Sequence, residues 1–245
     1  MSSKLSGSLI KRFSRLCILF AAALILPGMN VCSADYDPRR DSSVYFRVKD
    51  EGMRIALSFD DGPLKGKTDK ILDVLDKHGV KATFFMVGSQ AEYCPETAVR
   101  VVCEGHEIGN HTQNHKSLAA LSPDELDREI SEAETAIFEA CGYIPSLFRP
   151  PEGVCTEKIS NAAKYRGYSI VMWSVDTLDW QGRSACDIAE NVISNVAPGS
   201  VILMHDGIFA RSHTAEALDI MIPKLKAMGY TFVTVGELIS ESAYE

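Results

Sequence analysis

The feature that most constrains this chain is a unit that recurs from Arg54 onward: an amphipathic helical stretch, a glycine able to end it in the left-handed conformation, and a short apolar run. It reads as LDKHGVKATFFMVG, VVCEGHEIGNH, AKYRGYSIVMWSV and LKAMGYTFVTV, with Gly79, Gly105, Gly167 and Gly229 at the caps. Strands that alternate with helices pair in parallel, because the chain crosses over before it returns to the sheet. Runs such as SVILMH and YSIVMW are apolar at successive positions, as strands covered on both faces must be. The expectation is an α/β fold with about seven parallel strands. Helices are predicted over Thr68 to His78, Pro95 to Cys103, Pro123 to Cys141, Glu157 to Arg166, Ala185 to Val196 and Thr214 to Met228. The third has Ser122 as N-cap, Pro123 in its first turn and Asp124 and Glu125 at its positive end.

Residues 1–34 read as an address. Lys4, Lys11, Arg12 and Arg15 form a basic n-region, Leu16 to Leu26 is shorter than the roughly 20 apolar residues of a membrane span, and Cys32-Ser33-Ala34 resembles a cleavage site. A secretory signal peptide over 1–34 is expected, hence a secreted or cell-envelope, extracytoplasmic protein. The alternative is an uncleaved signal segment, which would be its only membrane attachment. A short polar lead over 35–53 and a single domain over 54–240 follow, since no internal linker or second composition interrupts the pattern. The remaining 211 residues suit one domain with a sizeable core, expected to be a monomer. The removed segment holds four basic and no acidic residues, so 25 basic residues fall to 21 against 33 acidic, a net charge of −12. That balance argues against nucleic acid as a partner and leaves a neutral glycan open. Five of seven cysteines remain and none forms a CxxC pair, which argues against a cysteine zinc site. Cys94 and Cys103 flank a predicted helix about 13 Å apart, at a helical rise of roughly 1.5 Å, too far to bridge.

Polar clusters fall at one end of the strand pattern. Asp60-Asp61 follows the first strand, NHTQNH follows HEIG, RPPEG follows LF, DTLDW follows VMWSV, and HDG follows VILM. The carboxyl ends of parallel strands are where barrels and doubly wound sheets build their sites. DDGP alone is a strand-ending turn, and a lone H-x-x-x-H is a weak signal. Together they supply chemistry: His111 and His115, four apart, present two imidazoles on one face of a helical turn, and one acid completes a His-His-Asp set with a position left for water. Asp61 can then bind the metal while Asp60 acts as the base on the metal's water. An arginine near the base would keep it ionised, and Arg149 in RPPEG is the candidate. His205 directly follows a buried strand, and Asp176 or Asp179 could hold its ring and raise its pKa, making it a general acid. His78 and His106 lack such company and read as structural, and His213 as the solvated start of a helix.

Five motifs in order, SFDDGP, HTQNH, RPPEG, DTLDW and LMHDG, resemble the polysaccharide deacetylases of carbohydrate esterase family 4, with the NodB-type homology domain. The resemblance implies a distorted (β/α) barrel of about seven parallel strands and a divalent metal held by Asp61, His111 and His115. Zinc is the usual ion, with Co2+, Mn2+ or Ni2+ as alternatives. It makes Asp60 the base, Arg149 its partner, His205 the acid and Asp179 the residue orienting His205. Trp180 and Leu203 would line the acetyl pocket, with Pro151 and Glu152 on the substrate side and the Glu152 backbone N–H as oxyanion donor. The implied reaction is hydrolysis of N-acetyl groups on a glycan, releasing acetate. Glu152 stands where many relatives carry an aromatic or basic residue, which bears on the substrate. Peptidoglycan N-acetylglucosamine is the first expectation, with N-acetylmuramic acid, chitin oligomers and O-acetyl xylan as alternatives. Two other classes are weighed: an iron oxygenase, which also uses two histidines and one carboxylate but usually sits on a β-sandwich, and a non-catalytic glycan-binding relative.

Overall fold

The computed structural model describes residues 36–49, 52–207 and 213–242; the expected signal peptide lies outside the described residues. Among them are nine strands: β1 (Val44–Tyr45), β2 (Arg54–Asp60), β3 (Thr83–Met86), β4 (Glu107–Asn110), β5 (Leu147–Phe148), β6 (Ser169–Val171), β7 (Val175–Asp176), β8 (Val201–His205) and β9 (Thr231–Phe232). Every ladder between them is parallel, in the order β1-β6-β5-β4-β3-β2-β8-β7, with β9 beside the start of β2. One run of chain serves both halves of this path. Its first part, β6, pairs with β5 and β1, and its last part, β7, pairs with β8 only a few residues later. The sheet therefore curls back on itself as a distorted barrel, interrupted where the run changes partners.

Side-chain parity decides what faces the interior. Along β2, Ile55, Leu57 and Phe59 pack outward into a large cluster with α1 (Thr68–His78) and α7 (Thr214–Ala227), whereas Ala56 joins an inner cluster with Phe85, Val171 and Val201. Asp60 shares the parity of Ala56 and so points inward at the strand's carboxyl end. On β8 the same rule sends Ile202 and Met204 outward and leaves Leu203 and His205 on the face of Val201. Asp60 and His205 are also register partners on adjacent strands, so the two stand side by side at the mouth.

Helix α4 (Pro123–Cys141) starts at the predicted N-cap, Ser122, which forms a capping box with Glu125, each accepting from the other's backbone N–H, and ends at Gly142 with φ 72°. α1 ends on Gly79 with φ 59°, and α3 (Pro95–Cys103), like α1 and α4, has its predicted limits. α5 (Glu157–Tyr165), α6 (Ala185–Asn195) and α7 end one residue earlier than predicted. Two helices were not foreseen. α2 (Gly88–Tyr93) is too short to show a period, and α8 (Val235–Ser242) contains Gly236, whose Cβ would meet a Glu107 oxygen at 2.1 Å. Among the described residues no helix is long and apolar enough to cross a membrane.

The segment 35–53, expected as a lead into the domain, contributes β1 to the sheet. Val44 and Val48 are buried, Met172 N–H donates to Tyr45 O, and the Asp41 carboxylate accepts from Ser160 and Lys164 on α5. The five cysteines among the described residues are all free thiols.

Candidate active site

Asp61, His111 and His115 converge at the mouth of the barrel, each offering one ligand atom within 4.8 Å of the others. His115 Nε2 lies 3.2 Å and His111 Nε2 3.5 Å from Asp61 Oδ1. His111 Nδ1 is 2.7 Å from the Arg149 carbonyl oxygen, which can only accept, so Nδ1 carries the proton and Nε2 presents its lone pair. Asp61 Oδ1 is buried with no aligned hydrogen-bond donor. Two imidazole nitrogens facing an orphaned carboxylate oxygen fit a divalent cation.

The two histidines do not share a helical turn, as their spacing had suggested. Residues 111–115 form an irregular loop in which Thr112 (φ 68°) and His115 (φ 52°) are left-handed. A β-branched residue in that region is an outlier, and such strain costs on the order of 1–3 kcal/mol per residue, so neighbours must hold it. α2 and α4 do so from two sides. Gly88 N–H and Ser89 N–H donate to the carbonyls of Thr112 and Gln113, and Gln113 N–H donates to Glu129 O. Gly88 is required there, because a Cβ would lie 2.8 Å from Ala133 Cα on α4.

Asp60 is buried and accepts from Arg149 Nη1 at 2.7 Å. Arg149, wholly buried, also donates Nε to Val171 O and Nη2 to Met172 O, with Phe85 beneath its guanidinium at 4.0 Å. Burial pulls this guanidinium below its ordinary pKa, and the Asp60 charge opposes the shift. Beside Asp60, His205 Nδ1 is 2.7 Å from Asp179 Oδ1, while Asp179 Oδ2 accepts from His205 N–H and the Thr214 hydroxyl. Burial favours neutral imidazole, but the Asp179 contact together with the charges of Asp60 and Asp61 outweighs it and raises His205 to about 9. Asp179, which burial alone would raise, is lowered by that same partner. Of the two acids considered for this role, Asp179 holds the ring, and Asp176 accepts from Leu178 N–H and lines the pocket.

The pocket above these groups encloses ≈ 230 Å³. Glu152, Trp180 and Leu203 line it, Trp180 being 48% exposed at the rim. Pro151 is buried in a tight turn, Pro151–Gly153, in which Glu152 is left-handed at φ 60°. Trp173 is a wall residue that sequence reasoning missed, because it sits inside an apolar run that looked like uninterrupted strand. Asp206 was also missed, although it follows His205 in the same motif. It is buried against Gly62, whose Cβ would lie 2.1 Å from its Oδ2, and accepts from the Thr68 hydroxyl; burial pushes it up to about 7. His78 pairs with Asp219, His106 Nδ1 accepts from Ala82 N–H, and His213 is exposed before α7, all three away from the pocket.

Residues 47–171 match the family model of polysaccharide deacetylases. A peptidoglycan-N-acetylglucosamine deacetylase of Bacillus cereus is 44% identical over 189 residues, 77% of this chain and 69% of that protein. The peptidoglycan-N-acetylmuramic acid deacetylase PdaC of Bacillus subtilis is 40% identical over 184 residues, 75% of this chain but only 38% of its own length. Among solved structures, the Bc1960 peptidoglycan N-acetylglucosamine deacetylase in complex with a naphthalenyl N-hydroxybenzamide matches with a TM-score of 0.78 at 42% identity, over 80% of this chain and 92% of the other. The chain belongs to the polysaccharide deacetylase family, carbohydrate esterase family 4, and its curled parallel sheet is the fold of that family.

Proposed function

We propose that this chain is a metal-dependent deacetylase that removes the N-acetyl group from N-acetylglucosamine of peptidoglycan, outside the cytoplasm. The observation that carries the reading is the meeting, in one pocket, of a three-lone-pair cluster with two separately oriented titratable groups, Asp60 locked to Arg149 and His205 locked to Asp179. Asp61, His111 and His115 would hold a divalent ion, zinc first, which when bound supplies Lewis acidity and acidifies water. Asp60, held in place by Arg149, takes the proton of the attacking water as its oxygen bonds to the amide carbon. The Glu152 backbone N–H stabilises the negative charge that develops on the carbonyl oxygen. His205, protonated at neutral pH and fixed by Asp179, gives its proton to the nitrogen as the C–N bond breaks, so acetate and a free amine leave. Trp180 and Leu203 receive the acetyl methyl, and Pro151 stiffens the turn that aims the donor.

Support for peptidoglycan comes from what the relatives act on, and support for an extracytoplasmic site from the basic n-region and apolar run of residues 1–34. N-acetylmuramic acid is the second reading, favoured by the likeness to PdaC. Acetate release from peptidoglycan, chitin oligomers and acetyl-xylan, with and without a chelator, tests both. Chelator-sensitive release from peptidoglycan, with glucosamine as the new amine in the hydrolysate, is expected. Undiminished release from metal-free protein would overturn the metal, and muramic acid as the new amine would favour the second reading.

A further inference from the structure

We infer that Glu129 of α4 is a positioning residue that holds the His115 segment in its ligand-ready shape, an inference that rests on Asp61, His111 and His115 being metal ligands. Glu129 touches neither the pocket nor a ligand atom. Its carboxylate is nonetheless buried, its residue 3% exposed, in the middle of a helix whose other buried members are largely apolar. A buried carboxylate is costly unless donors surround it, and these donors all come from the two residues flanking His115. Oε2 accepts from Asn114 N–H at 2.8 Å, Oε1 from Asn114 Nδ2 at 3.0 Å, and Lys116 Nζ lies 2.7 Å from Oε1.

His115 has φ 52°, and its Nε2 reaches the cluster only while the backbone on either side is fixed. The hydrogen bonds divide the work. α2 holds the carbonyls of Thr112 and Gln113, Thr112 Oγ1 accepts from His115 N–H at 3.2 Å, and Glu129 fixes residues 114 and 116. An exposed Lys-Glu pair would contribute little, but here one partner is buried and its second oxygen is committed to a backbone amide. The arrangement is that of an outer group that orients a metal ligand through the chain.

The test compares wild type, Glu129→Gln and Asn114→Ala, each folded and metal-free, by zinc affinity in competition with a chromophoric chelator and by the visible spectrum of bound Co2+. Glu129→Gln keeps the size but cannot pair with Lys116 or accept at both oxygens as a charge; its zinc affinity is expected to fall by roughly 10- to 100-fold, with an altered Co2+ spectrum. Asn114→Ala, at an exposed residue, removes only the side-chain bond, and a smaller loss is expected. A Glu129 that served only fold stability would lower Tm while leaving affinity and spectrum unchanged; that result overturns the inference. If Glu129→Gln does not fold, unchanged zinc affinity in Asn114→Ala overturns it. A wild-type chain that takes up no zinc or Co2+ overturns the metal reading and this inference with it, whereas binding by wild type and variants alike overturns the inference alone.

Discussion

At Asp179 one carboxylate performs two tasks, since Oδ1 sets the His205 ring and Oδ2 accepts from the His205 N–H and the Thr214 hydroxyl. The pair's effect on stability has a definite sign. His205 is raised to about 9, so the stability it contributes is complete below the ordinary histidine value near 6.5 and is lost as pH rises through about 9. Asp179 is lowered, so its share is present above the ordinary carboxylate range and is lost as pH falls through its depressed value. For the proposed reaction, kcat/KM should decline on the alkaline side as His205 loses its proton. Asp179→Asn removes the foremost of the charges that raise His205 and should move that limb to lower pH; a pH–rate profile with an unmoved limb would break the pairing of structure and role. This pair was half legible in the sequence. DTLDW offered two acids, and only the left-handed Leu178, which turns Asp179 toward β8, separates them.

Among the strands, β1 is the one that sequence patterning hid. Two residues cannot display a period, and the polar residues around Val44 made the segment look like a lead. Its worth is readable in the structure: Val44 packs with Phe148, Ile170 and Met172, and Val48 with the inner cluster. Burying a valine contributes roughly 1.5–3 kcal/mol, and two of them with the Tyr45 pairing make several. A chain starting at residue 54 should therefore melt on the order of 10 °C lower than one starting at residue 36, at about 2–4 °C per kcal/mol for this size. Equal melting temperatures in a thermal scan would mean that β1 only decorates the edge. The longer helices were legible because their caps were: Ser122 with Pro123 and the glycine Gly79 state their ends chemically. The loop 111–115 was not, since nothing in HTQNH announces that Thr112 and His115 are left-handed; α2 and α4 impose it from outside.

At the scale of the molecule, the polar clusters at strand ends were the most informative signal, and all five reach the same mouth. Asp60, Asp61, His111, His115, Glu152, Asp176 and His205 line one pocket, with Arg149 and Asp179 behind them. What could not be read was how the sheet curls, because the change of partner between β6 and β7 takes place within one apolar run.

That break has a further consequence at Arg149. The carbonyls of Val171 and Met172 lie at and just after the end of β6, before the run reaches β8, and it is the guanidinium that satisfies them. Arg149→Lys should therefore do more than slow the reaction. Lysine cannot reach three partners as a planar fork, and disrupting a buried pair typically costs about 3–5 kcal/mol, visible as a lower Tm alongside lost acetate release. A variant that lost activity at wild-type Tm would confine Arg149 to catalysis. If the melt does fall, this arginine is a poor marker of an active enzyme: a relative that had given up hydrolysis would still need it to stay folded.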